Sequence, residues 1–236
     1  MEPKRMYKAE NAIIMAAGSG SRLSPITDTI PKHLIKVQGK PIIESMIDSL
    51  IYNNIKEIVI VVGHFKEQFE YLPEKYQQVN IALIENPYYE TCNNISSLYI
   101  ARKYLGNSII TDGDIIVNNH KILDPYFEES GYCSSWTTET KEWLQQVDKD
   151  DYVKSCSRIG GKNGWLLYSI SFWNQKDSSK LSMHLEELFE KRKVTDIFWD
   201  DIPVFYYKEE YKLKIRRIDD GDLDEVDDLD DLYDLL

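Results

Sequence analysis

The sequence predicts an α/β fold in which helices wrap a largely parallel sheet, and three observations carry that prediction. Four short, continuous apolar runs, at 12–17, 57–62, 81–84 and 108–111, suit strands buried on both faces. Segments of helical period separate them, and such alternation builds parallel sheets. The first run ends in a glycine-rich turn and the fourth in Asp112-Gly113-Asp114. Both lie at the carboxyl ends of strands, where sheets of this kind bind ligands.

In chain order, residues 1–10 read as a disordered leader and 11–236 as one domain. After the strand at 12–17, Pro41 opens a helix. Ile42, Ile43, Met46, Ile47, Leu50 and Ile51 repeat at helical spacing, and Asn53-Asn54 ends it. The second strand is closed by Gly63. A short helix at 66–71 stops before Pro73, and a longer one is expected over 96–104. Beyond residue 125 the pattern changes to short strands at 132–137, 143–147, 152–157 and 165–172, an antiparallel insertion or lid. A helix at 180–193 and strands at 204–207 and 212–218 follow. Val226, Leu229, Leu232, Tyr233 and Leu236 then recur at helical spacing, which predicts an amphipathic terminal helix.

The composition excludes several classes. The chain has 236 residues, 42% hydrophobic and 29% charged, enough for one large domain with a real core. No apolar run approaches the roughly 20 residues of a membrane helix, so no membrane partner is expected. The polar N-terminus lacks a signal core, and three widely spaced cysteines suggest no disulfide framework. A reducing cytoplasm is the expected compartment. The net charge of -12 is concentrated in ten acidic residues between Asp219 and Leu236. Neither that tail nor the near-neutral body is a nucleic-acid-binding surface, which would be basic.

The glycine turn carries the chemistry. Gly18 and Gly20 permit close backbone approach to phosphate, Arg22 offers a planar fork, and Lys32 after Pro31 adds a point charge. No Gly-Lys-Ser/Thr follows, so this is not a P-loop, and a dinucleotide fingerprint lacks its third glycine. The stretch AAGSGSRLSPITDTIPKHLIKVQGKPIIES resembles the signature of nucleotidyltransferases that make sugar nucleotides and related activated alcohols. The resemblance implies a Rossmann-like three-layer α/β/α sandwich, with a mostly parallel mixed sheet and a small antiparallel insertion. It also implies that Ala16, Ala17, Gly18, Ser19 and Gly20 bind a nucleoside triphosphate, and that Arg22 and Lys32 stabilise the attacked α-phosphate.

A metal site is expected opposite the loop. Mg²⁺ takes one or two carboxylates plus phosphate oxygens. The resemblance places a metal-binding Asp at Asp114, with Asp112 behind it. Asp222 and Asp224 alternate around Leu223 and face one way on an extended segment. In relatives that act on choline phosphate an acidic-x-Asp pair before the last helix binds Mg²⁺, and Asp222-Leu223-Asp224 is expected to fill that place. A solvated acidic run or a helix cap is the competing reading.

The acceptor pocket is expected within 126–215. Asn93-Asn94-Ile95-Ser96, Lys141-Glu142-Trp143, Ser171-Phe172-Trp173 and Phe198-Trp199-Asp200-Asp201 look like the bacterial CTP:phosphocholine cytidylyltransferases. A quaternary ammonium is held by aromatic faces and a carboxylate. Trp136, Trp143, Trp173, Phe198 and Trp199 could supply the faces and Asp200 the charge, although each aromatic could equally be core. Asn93, Asn94 and Ser96 are candidates for reading the base. The expected reaction is Mg²⁺-dependent transfer of CMP from CTP to phosphocholine, with no general base, because the acceptor is already ionised. Three alternatives stay open: a 2-aminoethylphosphonate acceptor, a sugar-1-phosphate acceptor, and a non-catalytic nucleotide-binding module. A homodimer is left open.

Overall fold

The structure, a computed structural model, describes residues 6–236. Its spine is the strand β1, Asn11–Ala16, flanked in parallel by Glu57–Val62 (β2) and Ser108–Asp112 (β4). Asn80–Glu85 (β3) adds in parallel to β2. Residues along β1 alternate between two cores, as strand geometry requires. Ala12, Ile14 and Ala16 pack toward the helix α1, Ile42–Tyr52, through Ile43, Met46 and Leu50. Ile13 and Met15 pack toward α3, Ile95–Ala101, and α4, Gln175–Leu185, with Leu98, Leu181 and Leu185. Helices on both faces of one sheet give the three layers expected.

The antiparallel part grows out of the same sheet. Gly161–Trp173 (β9) runs antiparallel to β4 at its carboxyl end. Gly131–Thr140 (β6) pairs with β9, and Leu144–Val147 (β7) and Val153–Ser157 (β8) extend it. The order along the main path is β8-β7-β9-β4-β1-β2-β3.

Four segments differ from the sequence reading, each for a local reason. The leader expected over 1–10 lies outside the described residues at 1–5, but Tyr7–Lys8 pair antiparallel with Tyr126–Phe127 and Ala9 is buried. The helix expected to stop before Pro73 is Tyr71–Lys75 (α2). Pro73 sits in its first turn, where a missing N–H costs nothing. The strand expected at 204–207 is a helical turn, Ile202–Tyr206, with Pro203 in its first turn and Tyr207 N–H donating to Ile202 O at 2.9 Å. Of 212–218 only Arg216–Arg217 (β10) forms a strand, in parallel with Cys133 and Ser134, while Lys214 makes a single antiparallel bridge to Tyr152.

The tail is only partly helical. Leu223–Glu225 (β11) pairs antiparallel with Ile115–Val117 (β5), directly after Asp114. The helix α5 then spans Leu229–Asp234. It starts there because the Asp228 carboxylate accepts from the N–H groups of Asp230 and Asp231, a capping box completed by Asp231. No helix among the described residues is long and apolar enough to cross a membrane.

Candidate active site

The glycine loop is a tight cradle anchored from below. Gly20 adopts a left-handed conformation, φ 66°, which a side chain would strain. A Cβ there would also lie 2.9 Å from Lys32 Cβ, so the glycine lets the loop close onto the Pro31-Lys32 segment. Thr27 Oγ1 donates to Gly20 O at 2.9 Å and locks that closure. Leu23, one residue past Arg22, is fully buried with Ile35, Val37, Ile42, Val226 and Leu232. Burying a leucine contributes about 1.5–3 kcal/mol, and here it ties the loop to the C-terminal tail.

Both bases of the cradle meet acids. Lys32 Nζ bonds the Asp114 carboxylate, and Arg22 Nη2 bonds Asp227 Oδ1 at 2.7 Å. Burial opposes the charge on Lys32, but Asp114 outweighs it and holds the ammonium above its ordinary range. Burial likewise acts against ionised Asp114, and Lys32 overrides it to keep the carboxylate charged. Asp112 is pushed well up by burial and then by Asp114 and Asp200. His33 is buried beneath the turn, its ring under Gly113. Burial and the neighbouring Lys32 lower it to about 3, so it is neutral at pH 7.

These acids line one cavity of about 150 Å³. Asp112, Asp114, Glu225 and Asp227 form its acidic side, and Trp143, Phe198, Asp200 and Asn94 face them. Glu225 is raised to about 8 by burial, Asp114 and Asp227. The rings of Trp143 and Phe198 meet edge to face, with centroids 6.0 Å apart and planes at 85°. Asp200 is buried, its Oδ1 without a hydrogen-bond partner, and burial raises it to about 7. The adjacent Asp201 is a fastening instead: it accepts from Phe198 N–H at 2.9 Å and from the Arg158 guanidinium.

The cavity therefore unites Asp114 with its partner Lys32, Asp227 with its partner Arg22, Trp143, Asn94 and Asp200, and leaves other expected residues out. Asp222 accepts from Asn119 Nδ2 at 2.9 Å and from Asp219 N–H, which makes it a loop fastening. Asp224 accepts from Asn118 Nδ2 at 2.7 Å. The acidic-x-Asp pair at the cavity is Glu225-Val226-Asp227, three residues later. Pairing of β11 with β5 sets that register, and Val226 N–H donates to Asp114 O at 3.1 Å. Glu225 and Asp227 were missed because one acid in a run looks like another. The Glu and the buried Val226 between them were the available signal.

The aromatic expectations divide the same way. Trp173 and Trp199 are fully buried in the core between the sheet and α4, and Trp173 Nε1 donates to Ser171 Oγ. Trp136 is 54% exposed and packs edge to face on Trp165, away from the cavity. Ser96 is fully buried and spent on Asn93 O and Asn86 Nδ2. Asn93 Oδ1 accepts from Asn94 N–H, and its own N–H donates to Thr195 O. Ser96 is therefore not free to read a base, and Asn93 is not among the residues that line the cavity.

A family model described as nucleotidyl transferase matches residues 11–128, the span holding the glycine loop, Lys32 and Asp114. The chain belongs to the nucleotidyl transferase family. This nucleotidyl transferase is similar to a 2-aminoethylphosphonate cytidylyltransferase of Lancefieldella rimae, 35% identical over 81% of this chain and 78% of the relative. It is equally similar to a choline-phosphate cytidylyltransferase of Streptococcus pneumoniae, 35% identical over 81% of this chain and 82% of that one. A solved structure of the CTP:phosphocholine cytidylyltransferase from Streptococcus pneumoniae superposes with a TM-score of 0.89. It is 31% identical and covers 97% of this chain and 98% of its own. The family establishes an enzyme of the nucleotidyltransferase type.

Proposed function

We propose that this nucleotidyl transferase moves CMP from CTP to phosphocholine, giving CDP-choline and pyrophosphate. The observation that carries the reading is the Trp143–Phe198 corner opening onto the same cavity as Asp114, the carboxylate that Lys32 bonds. Two perpendicular aromatic rings suit a quaternary ammonium, which is attracted by ring faces and cannot donate a hydrogen bond. Asp200 stands beside them as the balancing charge.

The protein's own groups account for most of the catalysis. The backbone from Ala16 to Gly20 cradles the triphosphate. Arg22 binds it through its fork, and Lys32 meets the charge that develops on the α-phosphate. A phosphate oxygen of the acceptor forms the new P–O bond in line, and the α–β bridging oxygen leaves with its electron pair as pyrophosphate. The acceptor is ionised at pH 7, so no side chain has to remove a proton.

The family resemblance implies Mg²⁺, and the residues fit it. Five carboxylates line the cavity, from Asp112, Asp114, Asp200, Glu225 and Asp227, and Asp112 and Glu225 are raised by burial and by crowding against other acids. No closed cage of three or more ligating side chains is formed among the described residues. Mg²⁺ needs none, since it uses one or two carboxylates with phosphate oxygens and water. Two carboxylates from among Asp114, Glu225 and Asp227 would hold it. When bound it would supply positive charge to the triphosphate.

A second acceptor is favoured by one feature. The buried Asp200 Oδ1 lacks a donor, and a primary ammonium, as in 2-aminoethylphosphonate, would supply one. Pyrophosphate release from CTP with phosphocholine, 2-aminoethylphosphonate and glucose 1-phosphate decides. Phosphocholine should give the highest kcat/KM. Preference for aminoethylphosphonate would replace the acceptor, and no release with any acceptor would overturn the enzyme reading.

A further inference from the structure

Asn94 is fixed from one side and open on the other. Its Oδ1 accepts from Trp199 N–H at 2.9 Å. A backbone N–H can only donate, so the amide oxygen must face Trp199 and the amide nitrogen must face away. That Nδ2 makes no hydrogen bond to the protein among the described residues. The residue lines the cavity with Asp112, Asp114, Phe198 and Asp200. A pair of N–H donors among carboxylates that bonds none of them remains available to an anionic oxygen.

The backbone of the pair points to the same end of the cavity. Asn93 N–H donates to Thr195 O at 2.7 Å, so Asn93 and Asn94 together fasten the segment that carries Phe198 and Asp200. Behind them, Asn86 Nδ2 donates to Ser96 and Ser97, and Asn86 N–H donates to Val62 O at the carboxyl end of β2. The acceptor side of the cavity thus hangs on a buried hydrogen-bond chain that starts in the sheet and ends at Asn94.

We infer that Asn94 is an acceptor-binding residue. Its Oδ1 sets the position of the Phe198–Asp200 wall, and its Nδ2 donates to a non-attacking oxygen of the acceptor's phosphate or phosphonate. This rests on the acceptor reading above and assigns Asn94 to the acceptor instead of the cytosine base. A neutral donor suits this place. It holds an anionic oxygen without pairing permanently with Asp112, Asp114 or Asp200, as a lysine would.

Two substitutions separate the two sides of the amide. Asn94→Asp keeps an oxygen for Trp199 N–H and replaces the donor with an acceptor; Asn94→Ala removes both. A hydrogen bond to a charged group contributes about 1.5–3 kcal/mol, so Asn94→Asp should raise the acceptor KM by about tenfold or more. Its KM for CTP should change far less than its KM for the acceptor, and Asn94→Ala, which adds no charge but loses the tie to Trp199, should lower the melting midpoint. A raised KM for CTP with an unchanged acceptor KM would assign Asn94 to the base and overturn the inference. Wild-type kinetics in Asn94→Asp would reduce the residue to a structural tie, with the same consequence. If Asn94→Asp does not fold, the acceptor KM of Asn94→Ala set against its KM for CTP carries the same readout. The wild-type enzyme runs in parallel: its failure with every acceptor would sink the proposed function, while normal wild-type turnover beside an unaffected variant would sink only this inference.

Discussion

Arg22 and Asp227 are 205 residues apart in the chain and 2.7 Å apart in the fold. Their pairing joins the glycine loop to the acidic tail, and Lys32 with Asp114 makes the parallel connection one layer deeper. Each base of the glycine loop and its Pro-Lys segment is therefore paired with an acid of the cavity, and the site is held together by the charges it would use.

The two pairs differ in burial, and so in what their loss should do. Arg22 and Asp227 are 64% and 44% exposed, and exposed pairs contribute little stability. Arg22→Ala should leave the unfolding midpoint almost unchanged and lower kcat/KM by about 10²–10³, the usual loss for one charge-stabilising group. Denaturant titration beside steady-state kinetics checks this. A variant that unfolds like a core mutant, or turns over normally, would remove Arg22 from the triphosphate.

The tail register has its own test. Glu225→Gln and Asp227→Asn should weaken Mg²⁺-dependent nucleotide binding about tenfold each, a loss of roughly 1.4 kcal/mol. Asp224→Asn should not, because Asp224 is turned to Asn118. Asp222→Asn should act through stability, since its carboxylate accepts from Asn119 and the Asp219 N–H. Calorimetric titration of CTP with Mg²⁺ into each variant separates them. The reverse pattern would return the metal to Asp222 and Asp224.

This register shows where sequence reasoning stops. Gly20, Lys32 and Asp114 were legible because their chemistry is local: a left-handed glycine, a Pro-Lys pair and a carboxylate at a strand end. The parallel core was legible because Ile13, Ile14 and Met15 can only be buried on two faces. The tail was not, because pairing of Leu223–Glu225 with Ile115–Val117 is a contact over a hundred residues that no local pattern encodes. Pro203 hid a helical turn inside an apolar stretch that reads as a strand.

Asp200 gives a pH dependence with a defined sign. Burial raises its carboxyl from 3.8 to about 7, so the folded protein holds this proton more tightly than the unfolded chain. Its stabilising contribution is fully present below pH 3.8 and is lost as pH rises through 7. In chelator, the unfolding free energy of wild type minus that of Asp200→Asn should fall across this window, by at most one proton, or about 1.4 kcal/mol per pH unit. Urea titrations at several pH values measure it. A difference that is flat with pH would mean that Asp200 titrates normally.

The tryptophans expected at the acceptor predict opposite phenotypes for side chains of one type. Trp173 is fully buried between Tyr132, Trp199 and Tyr211. Trp173→Ala should cost about 3–5 kcal/mol, and Trp173→Phe, if folded, should leave the acceptor KM unchanged. Trp143 is half-buried, lines the cavity and leans on Phe198 and Phe205. Trp143→Ala should cost less stability and raise the acceptor KM at least several-fold, because removing a ring face from a desolvated cation loses about 2 kcal/mol. Trp136→Ala, at an exposed pair with Trp165, should change neither constant. Melting curves and acceptor titrations on the three variants test the assignment together. An acceptor KM that responds to Trp136 or Trp173 and ignores Trp143 would move the pocket out of the acid-lined cavity.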